Sequence, residues 1–204
     1  MHLQKHFHFH FYFPHEPTHS LKMFAKSLLF VAAVSAATIP TRTIPQSYTG
    51  TVPLTGHTHT IAAGIGLRYS PDNVSADIGD VIEWHFKPKA HGVVQSSADK
   101  PCVALEGGFS TGLIPVPEGQ TQADQVFQLI VEDTNPIWYY CPQLGGGEGK
   151  GHCQNGMVGV INAKVGVLNI DRYRDIAIQF KGDAELGTPG KGYLIPNPNP
   201  TAGI

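Results

Sequence analysis

Short apolar and aromatic runs separated by turn residues recur along the chain from about residue 57. Val81-Ile82-Glu83-Trp84-His85-Phe86 follows the turn Asp77-Ile78-Gly79-Asp80 and reads as a strand from its β-branched and aromatic content. Gln125–Val131 and Val158–Asn162 have the same character, Thr58–Ala62 suggests an opening strand, and Asn135-Pro136-Ile137-Trp138-Tyr139-Tyr140 supplies another. Few runs carry the helical period, and 23 glycines and 16 prolines punctuate the chain. The pattern predicts an all-β architecture of short strands joined by turns. Past Asn162, Val165–Asp171 and Asp175–Phe180 suit either a strand or a short helix with an apolar face. Residues 164–204 are expected to form a C-terminal extension packed on the β domain, with a mobile Pro/Gly-rich end.

The first forty residues have a different character. From Met23 the chain runs through Lys26, an apolar stretch from Leu28 to Val34, and Ser35-Ala36-Ala37, the basic, hydrophobic and small-residue series of a secretory signal. A signal peptide is therefore expected over 23–37, followed by a linker over 38–56 and the main domain over 57–163. The apolar stretch is shorter than the roughly 20 residues a membrane span needs. No later segment is apolar enough to span, and the tail lacks the hydrophobic stretch of a lipid-anchor signal. A secreted, extracellular protein is expected, with cell-wall association as a variant of that location. Residues 1–22 hold six of the 11 histidines. A metal-binding tract is one reading of them; a non-structural stretch upstream of the signal start is the other.

Composition narrows the class further. At 204 residues and 41% hydrophobic content, the chain buries one ordinary core. Fourteen basic against 16 acidic side chains give a net charge of −2, which offers no electrostatic footprint for nucleic acid. A monomer is expected.

The candidate chemistry lies after the aromatic strand, where Cys141 is followed by a glycine-rich loop and then His152-Cys153-Gln154-Asn155-Gly156-Met157. Thiolate and thioether sulfur favour copper over hard cations, and imidazole suits both copper oxidation states. Magnesium and calcium take oxygen ligands instead. A blue-copper site needs two histidines, one cysteine and usually a weak axial methionine, so a further histidine is required upstream. His85 lies within a strand, whereas His91 follows Pro88, which ends the regular ladder and leaves His91 on a loop at a sheet end. His91 is the favoured candidate. Three cysteines leave one unpaired. If Cys141 is a metal thiolate, Cys102 and Cys153 remain for one disulfide; the alternative is that Cys141 is a buried free thiol packed as a small hydrophobe.

Taken together, His91-Gly92-Val93-Val94-Gln95-Ser96-Ser97, Asp99-Lys100-Pro101-Cys102, Gly107-Gly108-Phe109-Ser110-Thr111-Gly112, Pro136–Cys141 and His152–Met157 resemble the fungal extracellular cupredoxins. These are blue copper proteins related to plastocyanin and the phytocyanins. The resemblance spans roughly residues 58–162, about half the chain. It implies a Greek-key β-sandwich with copper at one end. His91, His152 and Cys141 would be the ligands, Met157 the long axial ligand, and Cys102–Cys153 the disulfide clamping the two ligand loops. It also implies single-electron transfer with an unidentified redox partner protein and no enzymatic turnover. A copper-binding or cell-wall interaction module without an electron-transfer role is the alternative. One departure stands out: ten residues separate Cys141 from His152, more than is usual in that family. The extra glycines either slacken the placement of His152 or bulge outward as a surface loop. Asn73-Val74-Ser75 is a glycosylation acceptor in a secreted chain, which makes Asn73 a candidate for modification.

Overall fold

A computed structural model describes residues 50, 52–145, 150–166 and 168–201. The expected upstream stretch and signal peptide, and most of the linker, lie outside the described residues. Two sheets carry the domain. The first contains β1 (Thr58–Ala63), β2 (Tyr69–Ser70), β4 (Val81–Phe86), β8 (Gln125–Ile130) and β11 (Tyr193–Pro196), in the order β11-β8-β4-β1-β2. The second contains β3 (Asn73–Val74), β6 (Val94–Ser96), β9 (Ile137–Tyr140) and β10 (Val158–Ile161), in the order β3-β10-β9-β6. A short ribbon pairs β5 (Lys89–His91) with β7 (Ile114–Val116). The β1–β4 and β3–β10 pairs are parallel. The architecture is all-β, as the short apolar runs predict, in the two-sheet sandwich that the resemblance implies.

Strand periodicity explains the core. Ile82, Trp84 and Phe86 alternate along the central strand β4 onto one face and meet Tyr139, Cys141 and Ile161 from the opposite sheet in a single apolar cluster. The Trp84 ring stands edge-on to Tyr139 at 5.3 Å and lies 5.6 Å from Phe127, so the sheets are joined by aromatic packing. The intervening residues Glu83 and His85 are buried on the other face and made tolerable there by partners. His85 Nε2 lies 2.7 Å from Glu83 Oε1 and His85 Nδ1 lies 2.9 Å from Gln122 Oε1, while Gln128 Nε2 donates to Glu83 Oε2 at 2.7 Å. Both ring nitrogens of His85 thereby have side-chain partners, in keeping with His91 as the ligand candidate.

The C-terminal segment forms a helix and a strand. Helix α1 (Ile170–Gln179) starts at Asn169, whose side chain accepts the Arg172 N–H. Its buried face, Tyr173 and Ala177, packs on Trp138, Tyr140, Val158 and Val160 across the outer face of the second sheet. Toward the C-terminus, Tyr193–Pro196 forms β11, which pairs antiparallel with β8. Its backbone finds ladder partners there, and Pro196 sits at the end of an edge strand where a missing N–H is tolerated. The Asn197 side chain then donates to the Ala123 carbonyl at 2.9 Å. The first sheet therefore takes its edge from beyond residue 163, the boundary expected for the domain.

Asp80 precedes β4 and is buried beneath Thr55 and His59. Burial pushes its carboxyl up, but bonds from the Thr55 hydroxyl, the His59 imidazole at 2.7 Å and the Asp77 amide outweigh that and hold it at about 2. A carboxyl depressed in the folded state contributes stability above its unfolded value near 4, and that contribution is lost as pH falls through about 2. In thermal or denaturant unfolding, Asp80→Asn is expected to be less stable than the parent at pH 7 by on the order of 2 kcal/mol, and the gap should close between pH 4 and pH 2.

Candidate metal centre

His91 ends β5, Cys141 directly follows β9, and His152 opens the 3-10 turn Cys153–Asn155 that leads into β10. Cys141 is inward-facing by alternation: Tyr139 and Cys141 belong to the inter-sheet core, whereas Trp138 and Tyr140 belong to the outer cluster under α1. Its N–H donates to the Met157 carbonyl at 3.1 Å, which continues the β9–β10 ladder by one residue. The His152 N–H donates to the Gln143 carbonyl at 2.7 Å, and the Met157 N–H to the His152 carbonyl at 2.9 Å. The glycine-rich insertion thus leaves after Gln143 and is closed at its neck before His152. Residues 146–149 within it lie outside the described residues.

The structure brings three of the four predicted ligand residues into one group. The donor atoms of His91, Cys141 and His152 lie within 4.8 Å of one another. Cys141 Sγ is 3.5 Å from His152 Nδ1 and 3.9 Å from His91 Nδ1, and the two rings are 5.0 Å apart. All three side chains are at most 3% exposed. Met157 is fully buried in the same apolar cluster as Cys141, and its backbone is bonded to both Cys141 and His152.

Burial sets the electrostatics. It pushes the Cys141 thiol up to about 11, against the downward pull of the Gln143 and Gly92 backbone groups that bond to the sulfur. It also lowers His152 to about 4, with His91 and Lys89 acting in the same direction. Burial lowers His91 as well, with Lys89 adding to the effect and the Pro88 backbone opposing it. Both imidazoles are therefore neutral near pH 7, the form that donates a lone pair to a metal. Metal–sulfur and metal–nitrogen bonds of ordinary length, at tetrahedral to trigonal angles, place those donors about 3.5–3.7 Å apart. The separations in the pocket are close to this. A thiol and two imidazoles, with no carboxylate in the group, fit a soft or borderline ion of the copper type and not a hard cation.

Close packing of backbone holds the group in place. At Gly92 a Cβ would come 2.0 Å from the Gly112 carbonyl oxygen, and the Tyr69 hydroxyl donates to the Gly92 carbonyl at 2.6 Å. Cys102 and Cys153 are bonded to each other, with Cα atoms 5.8 Å apart. The bridge anchors the turn beside His152 to the segment that follows β6, and Cys141 is the free cysteine. Two further neighbours, Gly64 and Arg68, carry no ligand signature in the sequence and reach the site only through the fold.

No protein-family model matches the chain. Two proteins of the fungus Arthroderma benhamiae are similar in sequence. One, described as a probable GPI-anchored cupredoxin, is 26% identical over 142 residues, covering 65% of this chain and 69% of that relative. The chain is thus similar to a fungal cupredoxin over about two thirds of its length. The second relative, an extracellular serine-rich protein, is 32% identical over 113 residues, and this chain spans only 41% of its length. Among solved structures, a purple cupredoxin from Nitrosopumilus maritimus is 15% identical over 50% of this chain and 95% of its own, with a TM-score of 0.33. A mutant fern plastocyanin is 17% identical over 52% of this chain and all of its own, with a TM-score of 0.34.

The disulfide closes a loop with a sequence separation of 51, for which chain-entropy arguments give about 4 kcal/mol. The double variant Cys102→Ala/Cys153→Ala is expected to lose on the order of 2–5 kcal/mol in denaturant unfolding. Its loss of secondary-structure signal should occur in the same transition as the loss of tertiary signal, because the bridge lies between α1 and the second sheet.

Proposed function

We propose that the chain is an extracellular type 1 copper protein that carries single electrons, with His91, Cys141 and His152 as the strong ligands and Met157 as the weak axial one. The observation that carries this reading is a buried sulfur with an imidazole Nδ1 on each side at 3.5 and 3.9 Å. Copper held there would alternate between Cu(II) and Cu(I), the one-electron chemistry suited to a mixed sulfur and nitrogen ligand set. The protein supplies a cage that changes little. His91 is held at the end of a paired ribbon, Cys141 by the β9–β10 ladder, and His152 by the loop neck and the adjacent disulfide. Ligands fixed by backbone pairing limit reorganisation when the charge of the site changes. Cys141 must give up its thiol proton when metal binds, while the imidazoles bind as they stand. The reading assigns electron carriage to an unidentified redox partner and no catalytic turnover.

An extracellular location agrees with the signal expected at 23–37 and with a disulfide that persists in oxidising compartments. Asn73, exposed on β3, would then be open to glycosylation. Among the described residues no helix is long and apolar enough to cross a membrane. A wall-associated module that captures copper without cycling it is the competing reading, supported by the anchored and extracellular descriptions of the two relatives.

Reconstitution with Cu(II) should give an intense visible thiolate-to-copper band that Cys141→Ala abolishes; a colourless product from the parent would sink the copper reading. Met157→Leu is expected to keep the band and move the reduction potential, because the axial position tunes potential without making the strong bond. Reversible voltammetry distinguishes electron carriage from capture, which predicts tight Cu(I) retention without reversible cycling.

A further inference from the structure

The turn between β1 and β2 contributes no residue to the His91–Cys141–His152 group, yet it borders His91 at one end and the turn between His152 and Met157 at the other. It is closed by the Gly64 and Ile65 N–H groups, which donate to the Arg68 carbonyl at 3.0 and 3.3 Å. At one end, Gly64 (φ +114°) lies against the His91 ring, where an added Cβ would come 2.3 Å from Nε2. The backbone itself forms that wall. At the other end, Arg68 Nη1 donates to the carbonyls of Asn155 at 3.0 Å and Gly156 at 2.8 Å. These close the 3-10 turn immediately before Met157, where terminal carbonyls lack partners within the turn. Gly156 has the positive φ (+81°) that favours glycine, and a Cβ there would come 2.7 Å from the guanidinium nitrogen, so the close approach of Arg68 suits a residue without a side chain.

We propose that the Gly64–Arg68 turn clamps the two ligand loops together and that Arg68 is a positioning residue for the His152–Met157 segment. A charge-assisted bond to two successive carbonyls is stronger than a neutral one and restricts their rotation. Rotation of those peptide units would carry the Met157 backbone with it. The clamp therefore acts on the metal-free chain and, through His152 and Met157, on the copper site; this second part rests on the copper reading above.

The test uses the full chain with Arg68→Ala and Arg68→Lys. In metal-free protein, the Gly156 and Met157 amides, bonded to the Cys153 and His152 carbonyls at 2.8 and 2.9 Å, are read by hydrogen exchange against amides of β4. The alanine variant should exchange about tenfold faster at Gly156 and Met157 with β4 unchanged, and lysine, which keeps the charge but loses the planar fork, should fall between. In copper-loaded protein, metal release to a chelator should quicken by about tenfold and the EPR hyperfine splitting should change, as expected for loss of an outer-shell support. Unchanged exchange at both amides would overturn the clamp, as would acceleration of equal size in β4. If the alanine variant does not fold, the lysine variant decides by the same comparison. A parent protein that takes up no copper removes the copper reading and leaves the exchange result to judge the clamp.

Discussion

Val158 lies opposite Tyr140 and Gly159 opposite Tyr139, and this antiparallel register continues beyond the strand ends to place Cys141 opposite Met157. The rest of the site depends on it. A slip of one residue would turn Cys141 from the inter-sheet core to the outer face, exchanging its place with the Tyr140 side chain. The register is marked by a steric fit: a Cβ at Gly159 would come 2.2 Å from the Tyr139 ring. Tyr139 fills that space and stacks edge-on against Trp84 and Tyr69 across the core. The aromatic packing that joins the sheets therefore also aims the sulfur.

That constraint explains why the long Cys141–His152 insertion need not slacken the site. Entropy of loop closure rises only as the logarithm of length, and the closure is made at the neck, where Gln143 accepts the His152 N–H. Beyond the neck, the disulfide, the α1 face and the Gln154 amide bonded to the Gly182 carbonyl hold the 3-10 turn from the other side. The hydrogen bonds at Gln143 and Gly151 hold the His152 end of the insertion in place, against the expectation of a slack ligand arm.

The strands were legible because their information is local. Val81–Phe86 is a strand with the bounds its composition predicts, whereas His91, expected on a loop after Pro88, is the last residue of the short strand β5, paired with Ile114 of β7. The soft-ligand segment was legible for the same reason, as was the leftover cysteine. What was not legible depends on distant partners. Val165–Asp171 and Asp175–Phe180 each suited strand or helix, and the helix Ile170–Gln179 that overlaps both is set by the Asn169 cap and by the apolar surface of Trp138, Val158 and Val160 that Tyr173 and Ala177 cover. The Pro/Gly-rich end becomes β11 only because β8 offers an open edge. Gly64 and Arg68 have no motif at all; Arg68 meets Asn155 across 87 residues of sequence.

The same burial that makes the pocket rigid also bears on its chemistry. Without metal it favours a neutral set, a protonated Cys141 thiol and two uncharged imidazoles, because charge in an apolar core lacks solvation. Under the copper reading, the deprotonated sulfur and two neutral rings give the Cu(I) site no net charge and the Cu(II) site one positive charge. Desolvation in the apolar core that holds Cys141 and Met157 would penalise the charged state more than the neutral one. Such surroundings would shift the potential of a bound copper upward, toward retention of the electron, so that solvation as well as ligand identity would set where that balance lies.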